Sequence, residues 1–362
     1  MQYGTSKWQE WVLSEEEAIE HIKLAYDAGI QTFDTANVYS NGLSEIILGK
    51  AIKQLQLPRE EIVILTKVYF TVAREYATNL VATGEKPEDL GYVNQRGLNR
   101  KHIFDSVKAS LQRLGVEYID VLQCHRFDYE TPIEETMQAL HDVVKAGYVR
   151  YIGMSSCHAY QCTSPSLLLD SRLTTSLSQS TKCKSFTDYA ITHNLTPFIS
   201  MQNHHSILYR EEEREMFLLL LFGVGAIPWS PLARGLLTRP MREQTKRGGT
   251  DRFLHHYLKA AGTPEIVKRV EDLATQKGLS MAQIAVMWSL SKEGVTAPIV
   301  GTTSIKNLEE LIERGVVRVH TTISYVSYGF DILFSVAHMK LTEEEVKYLE
   351  EPYVAQAVIG HS

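Results

Sequence analysis

Short apolar runs alternate with amphipathic stretches along most of the chain. QTFDTA, IVILTK, YIDVLQ, VRYIGMSS, PFISMQ, AIPWS and APIVG are brief and rich in β-branched or aromatic residues, which marks them as strands. The stretches between them repeat apolar residues at helical spacing. Ser14-Glu15-Glu16-Glu17 reads as a capping box, and Ala18, Ile22, Ala25 and Tyr26 follow on one helical face up to Gly29. LSEIILGKAIKQL, the Ile103-Val107-Leu111-Leu114 segment, ETMQALHDVVKAG, REEEREMFLLLL, AQIAVMWSLSK, SIKNLEELIE and TEEEVKYLEEP repeat the pattern. Nearly continuous apolar strands, each followed by a helix, indicate a parallel sheet covered by helices. Seven such units are visible, one short of a closed (β/α)8 barrel (the TIM barrel). The expected fold is that barrel with an incomplete first strand, of which Met1-Gln2-Tyr3-Gly4 is the stub, over a single domain spanning 1–362.

Two stretches break the rhythm. The segment near 162–184 is Ser/Thr-rich without a helical period, and the segment near 315–335 is β-branched and aromatic. Both are read as irregular insertions.

Composition narrows the function. The 362 residues are 44% hydrophobic and 22% charged, ordinary for a globular protein with a large core. A net charge of −6 without a basic block argues against nucleic acid. No apolar run approaches membrane-span length, and the first residues lack a signal-peptide core. Cys124, Cys157, Cys162 and Cys183 form no CxxC pair and suit a reducing compartment, so a cytoplasmic location is expected. His204 and His205 have no further metal ligand at suitable spacing, so no metal is expected.

Asp34, Lys67 and His125 each close one of the predicted strands, and Tyr39 lies just beyond the first. In a parallel barrel these strand ends share one face. A carboxylate, a phenol, an ammonium and an imidazole would then gather in one pocket, able to give a proton to a carbonyl oxygen while hydride reaches its carbon. Taken singly, Asp34 is an ordinary strand-end cap, Tyr39 a packed aromatic and His125 a loop histidine. Lys67 is the least ordinary, since a lysine closing IVILT needs a partner. The conjunction carries the case.

With FDTANVYSNGLSE, ILTKV, QCHRFD, GMSS, ISMQNHHSILYREEEREM, IPWSPLARGLLTRP and IVGTTSIKNLEELIE in this order, the chain resembles the aldo-keto reductase superfamily. Within it, the nearest branch is the fungal aryl-alcohol-dehydrogenase-like and versiconal-hemiacetal-acetate-reductase-like enzymes. The resemblance implies a (β/α)8 barrel binding NADP(H), with Tyr39 as general acid, Lys67 lowering the phenol's pKa, Asp34 holding Lys67, and His125 on the substrate carbonyl. It places the nicotinamide against Asp34, Ser155, Ser156 and Gln202 and under Trp229. Ser230, Pro231, Leu232, Arg234, Gly235 and Leu236 would line the pyrophosphate. Gly301, Thr302, Thr303, Ser304 and Asn307 would meet the 2′-phosphate at a helix N-terminus, with Lys306 or Arg239 supplying charge where Thr303 replaces an arginine common in the family. The polar stretch from Tyr69 to Arg100 is expected to form a lid, and Trp8 and Trp11 are candidates for the substrate mouth.

The family's usual beginning and helix lengths make the short N-terminus and both insertions read as gene-model errors. Three functions follow: reduction of an aryl or polyketide-like carbonyl; a nucleotide-binding regulatory subunit resembling potassium-channel β subunits; or an inactive product of a faulty gene model. The first is preferred, with a small-molecule carbonyl or alcohol as partner and the oligomeric state open.

Overall fold

The computed structural model describes residues 1–162, 186–214, 216–217, 223–243, 246–251, 253–312, 323–326, 329–332 and 340–361. Six parallel strands lie in sequential order: β1 (Thr32–Asp34), β2 (Val63–Val68), β3 (Ile119–Cys124), β4 (Val149–Ser155), β5 (Phe198–Gln202) and β6 (Gly225–Ala226). The order in which neighbours follow one another, with helices interleaved, is that of a curled (β/α)8 sheet. Beyond β6 the ladder continues only as isolated parallel bridges, Ala226 to Val295 and Trp229 to Ile299. Pro228, Pro231 and Pro298 lie in these segments and lack the N–H a ladder needs. The expected AIPWS and APIVG strands are thus shorter than their apolar runs. Tyr3 forms one parallel bridge with Leu13 and stands outside the six-stranded ladder.

Strand alternation sorts the core. Val63, Leu65, Val121, Tyr151, Ile227 and Ala297 pack together inside the sheet. Ile64, Val68, Leu122, Cys124, Ile152 and Met154 point the other way, into the layer shared with the helices. Side chains two apart share a face, so Lys67 follows Val63 and Leu65 inward and Gln123 follows Val121.

Capping explains where helices begin. At Glu15–Asp27 both halves of the Ser14/Glu17 capping box form, as expected. The helix Met281–Ser291 starts on a second such box, Ser280 with Gln283. Helices Leu43–Gln54 and Arg100–Leu114 approach closely at Gly49, where an added Cβ would lie 2.4 Å from the carbonyl oxygen of Leu114.

Three expectations change. Arg210 to Leu221 was expected as a helix, but a 3-10 turn occupies Glu211–Arg214. Its carboxylates are drawn to other elements instead of the turn's own N–H groups: Glu211 accepts from the Tyr353 hydroxyl and the Gln356 amide, and Glu212 accepts from Asn203 and pairs with His361. Residues 215 and 218–221 of that segment lie outside the described residues. The helix Thr263–Lys277, with Pro264 at its start and Gly278 beyond its end, was missed although its apolar spacing is regular. Of the two irregular stretches, 163–185 lies outside the described residues. Within the other, Ile323–Val326 and Gly329–Ile332 pair as a separate antiparallel ribbon.

Candidate active site

The carboxyl ends of the strands hold the expected set. Lys67 Nζ donates to both oxygens of Asp34 at 2.8 and 2.6 Å and to the Thr35 carbonyl at 2.8 Å. The lysine side chain is 0% exposed and that of Asp34 8%. Asp34 Oδ1 also accepts from Gln123 Nε2 at 3.2 Å and Gln202 Nε2 at 2.9 Å. The ammonium lies 5.2 Å from the Tyr39 ring centroid, and its charge acts on the phenol. The His125 imidazole stands edge-on to Tyr39 at 5.7 Å and to Phe70 at 5.1 Å.

Burial sets the protonation states. For Lys67 it works against the charged form, but Asp34 overrides it and holds the pKa above the ordinary lysine value. Tyr39 is pushed up by burial, and Lys67 pulls it back only in part. The phenol is therefore protonated near neutral pH, with the cation opposing burial rather than producing a net drop. His125 is driven well below the ordinary histidine range by burial and by the cations Arg126 and Lys67, so its ring is neutral.

A cavity of about 640 Å³ runs from this cluster to the start of helix Ile305–Ile312. Asp34, Tyr39, His125, Ser155, Gln202, Trp229, Ser230, Pro231, Leu232, Arg234, Gly235, Arg239, Gly301, Thr302, Thr303 and Asn307 all line it. Lys67 lies beneath, held by Asp34. Four expected contacts fall outside the lining: Ser156, Leu236, Ser304 and Lys306. Ser156 Oγ accepts from the indole N–H of Trp229 at 3.3 Å, Leu236 packs into the second half's core, and the Ser304 amide donates to Thr302 Oγ1. Lys306 is exposed on its helix. Nor does any residue of the Tyr69-to-Arg100 stretch line the cavity. That segment is pinned to the sheet end instead: Asn41 donates to the carbonyls of Glu75 and Thr78 and accepts from the Ala73 amide.

The lining suits an anionic dinucleotide. Arg126, Arg234, Arg239 and Arg247 all face it, and Ser230 and Arg234 adopt left-handed backbone conformations that turn the chain around its rim. Arg234 and Arg247 share Asp251 at 2.7 and 3.0 Å. Trp229 is braced from behind, stacked on His204 at 4.2 Å, which stacks in turn on Tyr209 at 4.1 Å. His204 meets the Tyr257 hydroxyl and His205 meets Glu213. Among the described residues, no three His, Cys, Asp or Glu side chains are placed to hold a metal.

Sequence reasoning missed Gln123, Arg126 and Arg247. Gln123 sits two residues before His125, and Arg126 one after; an inward-facing polar residue on an apolar strand was the available signal. Arg247 gave none, since it reaches the cavity from a short helix, its guanidinium 4.1 Å over the Trp11 ring.

A barrel with this buried ion pair beneath a phenol and a neutral imidazole defines an oxidoreductase of the aldo-keto class. The sequence pattern of the Aldo/keto reductase family matches residues 1–322, and the chain belongs to that family. It is 43% identical over 364 residues to versiconal hemiacetal acetate reductase of Aspergillus parasiticus, across 99% of this chain and 93% of that one. A provisionally named aryl-alcohol dehydrogenase of Schizosaccharomyces pombe is also 43% identical, across 99% and 92%. An aldo-keto reductase of Alternaria alternata is 39% identical, across 100% and 89%. The family acts on small-molecule carbonyls with a nicotinamide cofactor. No helix among the described residues is long and apolar enough to cross a membrane.

Proposed function

We propose that this chain reduces an aldehyde or ketone to the alcohol with NADPH, reversibly, and that its substrates are aryl or polyketide-like. The observation that carries the reading is the assembly of Asp34, Lys67, Tyr39 and His125 at one end of the arginine-bearing cavity.

The nicotinamide, when bound, supplies the hydride. The chain does the rest. Neutral His125 donates an N–H to the carbonyl oxygen and orients it between imidazole and phenol. As negative charge gathers on that oxygen, Tyr39 transfers its hydroxyl proton there. The Lys67 ammonium stabilises the phenolate left behind, and Asp34 keeps the ammonium charged in a site that disfavours it. Oxidation of the alcohol runs these steps backward.

Ser155, Gln202 and Trp229 would hold the nicotinamide, and Ser230 to Gly235 the pyrophosphate. The Gln202 side chain donates to Asp34 in the structure, so it would act on the cofactor largely by ordering that carboxylate. Arg239 would be the cation that reads a 2′-phosphate; that it lines the cavity with Thr303 and Asn307 while Lys306 does not supports this reading. Trp11 and Tyr39 line the substrate end, with Trp8 and Val38 in the same buried cluster and Phe70 packed against it, which favours a flat, apolar ring.

The test is a panel of aromatic and aliphatic aldehydes with NADPH and NADH, run on wild type and Tyr39→Phe. Loss of the phenolic proton should lower turnover by about 10²–10⁴ with cofactor binding nearly unchanged. A Tyr39→Phe enzyme within about threefold of wild type would overturn the assignment of the acid.

A further inference from the structure

Among the described residues, no anion pairs with Arg126. It follows His125 directly and lines the cavity. Its one polar partner among the described residues is the neighbouring His125 carbonyl, which accepts from Nη1 at 2.5 Å. Its guanidinium carbon stands 5.7 Å from the centre of the Phe70 ring, too distant a contact to offset the loss of water. Burial depresses its pKa, and the groups that favour its charge are the phenols Tyr39 and Tyr69, not a carboxylate.

The other cavity cations contrast with it. Arg234 and Arg247 share Asp251, and the Arg239 Nε donates to the Glu243 carbonyl. Arg126 lies beside the phenol and imidazole: its neighbour Phe70 is 5.1 Å from His125. A half-buried guanidinium at a cavity wall, its donors met by no described carboxylate, is placed to receive something negative. A planar fork of N–H groups is best met by a carboxylate, which it can grip with two parallel hydrogen bonds.

We propose that Arg126 is a specificity-determining residue that binds a carboxylate on the substrate, so that preferred substrates are carbonyl compounds bearing a carboxylate on the same aromatic or flat framework. The inference rests on the carbonyl-reductase reading and deepens it. The neutral face of Trp11 takes the ring, His125 and Tyr39 take the carbonyl oxygen, and Arg126 fixes the far end. Such a three-point hold would orient the reacting carbon, lowering KM and sharpening regiochemistry together.

The experiment compares 3- and 4-carboxybenzaldehyde with their methyl esters, which keep the ring and carbonyl but remove the charge. With NADPH and wild-type enzyme, kcat/KM for the better acid should exceed that of its ester by about 10–100-fold, the range for a charge-assisted bidentate contact. Arg126→Gln should collapse that acid-to-ester ratio toward one, and Arg126→Lys should restore part of it. Equal wild-type rates for acid and ester in both positions, or an unchanged ratio in Arg126→Gln, would overturn the proposal, and the wild-type comparison decides even if the glutamine variant does not fold. Turnover of neither acid nor ester would count against the reductase reading instead. In that case benzoate binding to the NADPH-loaded protein decides on Arg126: at least about tenfold tighter than benzamide in wild type supports it, and equal binding refutes it.

Discussion

Replacing Asp34 by asparagine isolates the buried ion pair. In wild type the Lys67 ammonium has two protein acceptors, the Asp34 carboxylate and the Thr35 carbonyl, and no exposure to water. Breaking a buried pair by removing one partner costs about 3–5 kcal/mol. The asparagine carbonyl still accepts one bond, so the lower end, about 3 kcal/mol, is expected. Lys67→Met leaves a different orphan. Asp34 keeps the amide donors of Gln123 and Gln202, so the expected loss is smaller, about 2 kcal/mol. The Asp34→Asn/Lys67→Met double variant contains no unpaired charge and should cost less than the two singles summed, by a coupling of about 2 kcal/mol. Urea unfolding of the four proteins, read by tryptophan fluorescence, measures each value. Single costs that simply add in the double variant, within about 0.5 kcal/mol, would refute a direct energetic bond between the pair. Turnover gives a second reading: in Asp34→Asn the buried amine shifts toward its neutral form, and Tyr39 loses the cation that opposes its burial.

Arg239→Ala should weaken NADPH binding by about 10–100-fold and leave NADH almost untouched, as titration of protein fluorescence with each nucleotide would show. Gly49→Ala should destabilise the fold by about 1–3 kcal/mol, because the added methyl meets backbone of the neighbouring helix and not a side chain that can turn away. Equal denaturant midpoints for Gly49→Ala and wild type would show that those helices do not approach as closely as described.

Much of the site could be read from the chain because strand alternation and a shared polarity fix where a strand-end side chain points. Asp34, Lys67 and His125 needed no more than that, and the cluster they form with Tyr39 is present. The carboxamides of Gln123 and Gln202 converge on Asp34 from two more strands, and only the register of the sheet reveals it. Where a helix was expected from Arg210, the described residues Glu211–Arg214 form a 3-10 turn whose acidic residues meet Tyr353, Gln356, Asn203 and His361, all but Asn203 more than a hundred residues away. Local charge pattern carries no trace of such distant claims. Arg126 was passed over because beside a conspicuous histidine it looked like any exposed arginine; its missing counter-ion is a property of the fold.

A single carboxylate ties four strands together. Through Lys67, Gln123 and Gln202, the side chain on β1 draws β2, β3 and β5 to one point. The reactive end is also a clasp across the sheet, so loosening any of these strands disarms the chemistry before the chain has opened. Drift in what the enzyme accepts is thereby confined to the loops above the clasp, where residues such as Trp11 and Arg247 can change without slackening it.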